Sequence, residues 1–453
     1  MTSNRQAMKS FSQLEREVIE PGNCVACGTC LGLYPEQLKE ENNLLGPKPV
    51  LKPGAKLEAE GLLEICPGYG IHYKNLNEHF FGEGLQDYVL GNHTAGYIGF
   101  STDKEVRQGG ASGGVLTAML LHLFREGKIQ GAVVIEQGRP EPWSARPIIA
   151  TNEEEIKACA QSVYIPVMTN KILAEVAQFK GTLAYVGLPF QVAALRRLQQ
   201  RGHQAALKIK YVFGPYKGTS FLLGAVESYV RSNGAKGLED IESLKYRDGE
   251  WPGYLRINLK DGRVFRSPKF YYNYLIPFFI TKESLISIDF ANELTDVSVG
   301  DAWNPRFESQ GQGFSVLLTR TAEGTELVRE MAEQGLLEIE LIEREELIRM
   351  HGHMIDFKKR GSFIRIDWLR RLGRKTPRYD YRPVRIGFSR YLVELVISLV
   401  IASCSSWPAR ALAERIPASL LGKLFDGLRR YWKFLSKPTK RKGISHVDYE
   451  QID

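Results

Sequence analysis

Cysteine is scarce in these 453 residues: six in all, four of them before residue 67. So few, so unevenly placed, exclude a secreted disulfide framework and point to metal binding by the N-terminal group. Long apolar runs are missing as well. The best candidate, YLVELVISLVIA (391–402), is too short for a membrane span and is interrupted by Glu394. The N-terminal MTSNRQAMKSFSQLEREVIEPGN has no apolar core or small-residue cleavage site, so no signal peptide is expected and a cytoplasmic location follows. No internal repeat stands out. Excess positive charge is absent from the first 350 residues, which are net −5, whereas residues 351–453 carry 22 Lys and Arg against 9 Asp and Glu. That asymmetry suggests a partner surface for the tail.

What remains is an ordinary globular composition, 43% hydrophobic and 25% charged, long enough for two or three domains. Residues 1–85 bear the cysteines with scattered Pro and Gly, and read as a small, loop-rich, ferredoxin-like module. From about residue 90 the pattern changes. GASGGVLTAMLLHLFREG (110–127) runs from a glycine-rich loop into an amphipathic helix, and GAVVI (131–135) is a short buried strand. TLAYVG (182–187) is another strand, leading through LPFQVAALRRLQQRG into a helix, and LKIKYVFG (207–214) a third. Strand, glycine turn and helix in repetition predict an α/β body whose strand ends carry a ligand. YLRINLKDGRVFRS reads as a hairpin turning at Asp261-Gly262. The expected division is 1–85, 90–178, 179–350 and a basic helical tail, 351–453.

CVACGTCLGLYP (24–35) starts as a bacterial ferredoxin run, Cys-x2-Cys-x2-Cys, which should continue with three residues and Cys-Pro; Tyr34-Pro35 stands there instead. In two-cluster ferredoxins the first three cysteines share their cluster with the Cys-Pro of the other run. EICPG supplies it as Cys66-Pro67. Counting back from Cys66 by the same spacing lands on Leu62, Ala59 and Lys56, so the second cluster's ligands are blank together with Tyr34. The expectation is one complete 4Fe–4S cluster on Cys24, Cys27, Cys30 and Cys66. Zinc on the same thiolates, or a cluster short of one ligand, are the alternatives. Cys159 and Cys404 read as small buried hydrophobes.

GGASGGV (109–115), YVGLPFQVAALRRL (185–198), YRDGEWPGYL (246–255) and ELTDVSVGDAW (293–303), behind the cysteine module, resemble the coenzyme F420 hydrogenase/dehydrogenase beta subunit family. That family includes 7-hydroxymethyl chlorophyll a reductase. The resemblance covers about residues 20–350. It implies FAD and iron–sulfur clusters, and electron transfer between a ferredoxin-like or deazaflavin donor and an organic acceptor. On this view Gly109, Gly110, Gly113 and Gly114 admit a cofactor close to the backbone, Ser112 adds a hydroxyl, and the next helix offers its N-terminus to a pyrophosphate. Gly187 and Pro189 make a turn presenting Gln191, Arg247 pairs with a phosphate or reduced flavin, and Asp301 takes a hydroxyl. The bland alternatives are tight core turns and a surface ion pair. His93 and His122 are the histidines nearest the loops.

The departures are informative. Many relatives have cysteine where this chain has Phe190, a Cys-x2-Cys pair where it has Ser284 and Ser287, and another near Gly214. The resemblance then implies that a flavin-proximal cluster is lost, so that one cluster feeds the flavin directly. That requires the module to pack close to the GASGG and GLPFQ loops. No nickel or molybdenum site is present in the sequence. The expected function is an iron–sulfur flavoprotein oxidoreductase, whose partners are ferredoxin or another redox protein and a small organic or lipid-linked substrate. The alternatives are a non-catalytic electron-transfer subunit, or a scaffold relative associated with surface-polysaccharide synthesis. The basic amphipathic tail suits a peripheral place on the inner face of an anionic membrane, or a helical cap; nucleic acid is not expected.

Overall fold

The computed structural model describes residues 11–268, 273–308 and 310–452; the first ten residues of the expected 1–85 module lie outside them. The central sheet has eight strands: β1 (Ala95–Ser101), β2 (Gly131–Gln137), β3 (Ala145–Ala150), β4 (Leu183–Val186) and β5 (Ile209–Pro215) come first in the chain. A separate antiparallel sheet then intervenes, made of β6 (Ile241–Asp248), β7 (Tyr254–Leu259) and β8 (Val264–Pro268). The central sheet is completed by β9 (Val297–Asp301), β10 (Ser315–Thr319) and β11 (Leu337–Leu341), in the order β11-β1-β10-β9-β5-β4-β2-β3. Strands β9, β5, β4 and β2 are parallel neighbours, and β1 runs the same way through antiparallel β10. Strands from both expected body segments therefore share one sheet. The β7–β8 hairpin turns at Asp261-Gly262, where Gly262 takes φ +85°.

Strand β4 is apolar throughout because both faces of the sheet are covered. Side chains alternate across a strand. On one side Val134, Ala184, Phe213 and Val299 pack beneath helix α1 (Val115–Arg125). On the other, Val133, Tyr185 and Val212 share a core with helix α2 (Pro189–Gln200) and with Leu31, Leu62 and Leu76 of the cysteine module. The module itself has little regular structure, chiefly Thr29–Leu33, Leu62–Ile65, Tyr73–Phe81 and a hairpin, Leu38–Glu41 with Lys48–Leu51. Its contact with the body is close: a Cβ on Gly28, which has φ +84°, would lie 2.6 Å from the Met168 carbonyl. The tail also holds the module, because Arg378–Tyr379 pairs with Gly70–Ile71 and Asp380 accepts the Tyr73 and Lys74 amides at 2.9 and 2.8 Å. A carboxylate there satisfies amides that open a helix.

Beyond the sheet the chain is helical: α3 (Arg344–Asp356), then α4 (Phe388–Cys404), α5 (Trp407–Glu414) and α6 (Ala418–Arg441). Among the described residues no single helix is long and apolar enough to cross a membrane, although α4 and α5, bent by 67°, pass that test as a pair. Glu394, the charge that interrupts the apolar run, turns inward. It is fully buried, with Arg365 and Arg390 donating to it, while Arg390 also reaches Asp356 at 2.8 Å. This buried network fastens α4 to the body.

Candidate functional site

Cys24, Cys27, Cys30 and Cys66, from two separate stretches of chain, line a single cavity walled by Leu14, Val18, Ile65 and Met168. A left-handed Gly28 lets the chain turn between Cys27 and the short helix that carries Cys30. Backbone groups of Ala26, Gly28, Leu31 and Gly68 surround the sulfurs, and the Thr29 hydroxyl donates to the Cys27 Sγ at 3.3 Å. Burial raises all four thiols, Cys24 to about 12, and their mutual repulsion raises Cys24, Cys30 and Cys66 further. Bare thiolates are thus disfavoured there, and a group that neutralises all four fits. The four cysteines thus face one shared space from two separate stretches of chain. Cys159 and Cys404 lie elsewhere, half-buried against apolar neighbours.

The cysteine module meets the GLPFQ turn directly. Cys27, Val25, Phe190 and Ala194 pack as one apolar group, with Leu188 beside them. Asn170 ties the two together: its amide NH donates to the Cys27 carbonyl at 2.8 Å, and its side chain donates to Thr29 Oγ1 and the Gln191 carbonyl, each at 3.0 Å. Gln191 is buried, accepting the Leu188 amide and donating to the Val167 carbonyl. Both ends of its side chain therefore serve the turn that opens α2.

Parallel sheets present ligands at the carboxyl ends of their strands. Here that edge gathers the glycine loop after β1, the Gly187-Leu188-Pro189 turn after β4 and Asp301 at the end of β9. Ser315 lies opposite Asp301 in the ladder, and its hydroxyl meets the Ser112 hydroxyl at 2.7 Å and accepts the Gly113 amide at 2.9 Å. Glycine is required at Gly113 and Gly114, where a Cβ would lie 2.6 Å from the carbonyl oxygens of Gly99 and Val106, and at Gly110, 2.8 Å from Gly114 Cα. Gly109 faces open space. The loop ends at Gly114, which caps α1 with no side-chain hydrogen bond, so that helix presents its first amides bare. Arg247 and Asp301, predicted separately, form one ion pair at 3.0 Å, with Trp251 Nε1 3.4 Å from Asp301 and the Trp251 and Trp303 rings 4.7 Å apart.

Two residues at this edge escaped sequence reasoning. Asn292, fully buried with φ +58°, donates to the Gly187 and Pro215 carbonyls at 2.8 and 3.2 Å and so joins the ends of β4 and β5. His351, on α3, lies against Asp301 and the Tyr216 ring, and burial pulls it down to about 4. His122 sits in α1 near Glu330 and His93 on the Gly91 carbonyl.

Phe190, Ser284 and Ser287 also converge, around buried lysines. Lys217 Nζ lies 5.1 Å from the Phe190 ring centre and pairs with Glu283. Lys358 Nζ donates to the Ser284 carbonyl at 2.9 Å and Ser287 Oγ at 2.6 Å. A Cβ on Gly214 would be 2.0 Å from Asn292 Nδ2. Phe190, Ser284 and Ser287 themselves carry no thiol, and the two lysine side chains beside them are buried.

Residues 97–174 match the N-terminal part, and residues 181–345 the C-terminal part, of the family described as coenzyme F420 hydrogenase/dehydrogenase, beta subunit. Coenzyme F420 hydrogenase subunit beta of Methanothermobacter thermautotrophicus is 26% identical over 268 residues, covering 56% of this chain and 87% of that one. Coenzyme F420-dependent sulfite reductase of Methanocaldococcus jannaschii is 25% identical over 373 residues, 78% of this chain but 53% of its own length. One of the subunits of the F(420)H(2) dehydrogenase of Methanosarcina mazei is 24% identical over 367 residues, 76% of this chain and 92% of that one. In a solved structure of the F420-reducing NiFe hydrogenase complex from Methanosarcina barkeri, one chain shares this fold with a TM-score of 0.50 and 21% identity, over 62% of this chain and 94% of that one. Fold and relatives together define a redox protein of the electron-transfer oxidoreductase class. The chain belongs to the coenzyme F420 hydrogenase/dehydrogenase beta subunit family.

Proposed function

We propose that this chain is an iron–sulfur flavoprotein oxidoreductase, with one 4Fe–4S cluster on Cys24, Cys27, Cys30 and Cys66 and FAD at the carboxyl edge of the sheet. The observation that carries the reading is the packing of Cys27 on Phe190 and Leu188, which leaves one layer of side chains between the cysteine cavity and the GLP turn. Phe190, Ser284 and Ser287, which have no thiol where many relatives have cysteine, support a single cluster. Ferredoxin or a reduced deazaflavin is the donor, and a small organic or lipid-linked compound the acceptor.

Bound together, the two groups would supply one-electron entry and two-electron exit. The chain's own residues do the rest. The bare N-terminus of α1 and the Ser112 hydroxyl would hold a pyrophosphate. Trp251 and Trp303 offer flat apolar surface, Arg247 offers charge to an anionic ring, and Asp301 fixes the Arg247 fork and would take a hydroxyl only by exchanging one of the hydrogen bonds it already accepts. The apolar wall around the cysteines excludes water. By the same reading the protein works in the cytoplasm, peripheral to the inner face of an anionic membrane. A second reading, an electron-transfer subunit without chemistry of its own, is favoured by relatives that are named as subunits.

Anaerobically purified protein should contain about four iron atoms and one flavin per chain. Arg247→Ala should lose flavin while keeping iron and its circular dichroism. Iron without flavin in the parent protein would overturn the flavoenzyme. Turnover of an organic acceptor by the isolated chain distinguishes the enzyme from the electron-transfer subunit.

A further inference from the structure

We infer that α4, α5 and α6 form a docking face for an anionic lipid bilayer, lying in the plane of the interface. Most of the exposed large hydrophobic side chains among the described residues fall between Phe388 and Leu435. On α4 the outward residues Leu392, Leu395, Val396, Leu399 and Val400 follow helical spacing, and the single charge between Tyr391 and Ala409 is Glu394, fully buried on the opposite side. Trp407 is 80% exposed at the bend into α5.

Helix α6 is reversed relative to an ordinary surface helix. Leu420, Leu424, Leu428, Tyr431, Phe434 and Leu435 recur on one face, and that face is exposed; Leu421, Gly422 and Ser436 face the protein. Lys423, Arg430, Lys433 and Lys437, all exposed, follow the flank of the apolar stripe. Apolar residues outward with cations beside them match the layering of acyl chains and anionic headgroups. A folded protein partner would need a comparably large apolar surface edged with acid. Length and the bend argue for lying in the interface, not crossing it. Helix α6 packs on α3, whose His351 lies against Asp301, so the face lies one helix from the carboxyl edge of the sheet. The inference supplies the surface for the peripheral placement proposed above and rests on that reading only for the membrane's place in the cell.

Flotation of the full chain with phosphatidylcholine vesicles, with and without phosphatidylglycerol, tests it. The protein should float with the mixed vesicles and far less with phosphatidylcholine alone. Leu424→Glu, Leu428→Glu and Phe434→Glu together should reduce flotation by about tenfold or more, with circular dichroism unchanged. Lys423→Glu, Arg430→Glu, Lys433→Glu and Lys437→Glu should remove the preference for phosphatidylglycerol. Failure of the parent protein to float on either vesicle, or flotation of the triple variant like the parent, would overturn the inference. So would a soluble dimer that the triple variant splits and that ignores vesicles, since the face would then belong to a second copy. Iron and flavin measured in the same samples test the redox reading separately: their absence with flotation intact refutes that reading alone.

Discussion

Cys66 is far from Cys30 in the chain yet lines the same cavity, so one substitution separates a ligand from a bystander. Cys66→Ser should abolish the visible absorbance and most bound iron. Cys159→Ser should leave both intact, because that thiol packs against apolar neighbours and burial raises it to about 12. Retention of full iron in Cys66→Ser would refute the ligand set. Lys358 gives a pH prediction. Burial, then the nearby Arg365 charge, lower it to about 7, whereas an unfolded lysine keeps its proton to about 10.4. Between those values the unfolded chain binds more protons, so this group makes stability rise with pH from about 7 upward. Urea unfolding at intervals through that window should show the slope of Lys358→Met lowered relative to the parent by up to about 1.4 kcal/mol per pH unit. Identical slopes would show that Lys358 keeps its proton when folded.

Individual elements owe their positions to polar groups that apolar patterning does not reveal. The β4 and β5 ends are joined by Asn292, and the α2 turn is closed by Gln191. Helix α4 presents an apolar outer face and is held by an inner pair of charges. Glu394→Ala would leave Arg365 and Arg390 buried with less countercharge, a loss of about 3–5 kcal/mol when one member of a buried pair is removed. Thermal unfolding should show that loss, and trypsin should cut between α4 and the body well before it does in the parent protein. The apolar run 391–402 was legible as part of a helical tail, but which way Glu394 faces was not, since that depends on Arg365 in the preceding helix, Ser362–Arg371.

At the scale of the molecule, the cysteine module and the sheet share one core, and the tail adds a strand pairing between Arg378–Tyr379 and Gly70–Ile71. Limited proteolysis should therefore release α4–α6 before it separates the module from the sheet; early release of an intact module would show the shared core to be weak. The α/β character, the strands at 131, 183 and 209 and the hairpin at Asp261-Gly262 were readable because local periodicity and turn chemistry specify them. The four N-terminal cysteines were readable as a set because their spacing is local except for Cys66, and Cys-Pro marks that one. The Arg247–Asp301 pair, His351 beside it, and the lysines around Phe190, Ser284 and Ser287 were not. By itself the sequence determined which segments become strands, which helices are amphipathic and which cysteines belong together, since these follow from nearest neighbours along the chain. Only the tertiary structure decided that Cys27 meets Phe190, that Arg247 meets Asp301 and that the apolar face of α6 points outward. Each of those depends on packing between segments far apart in sequence, where burial and charge pairing, not local pattern, choose the partner.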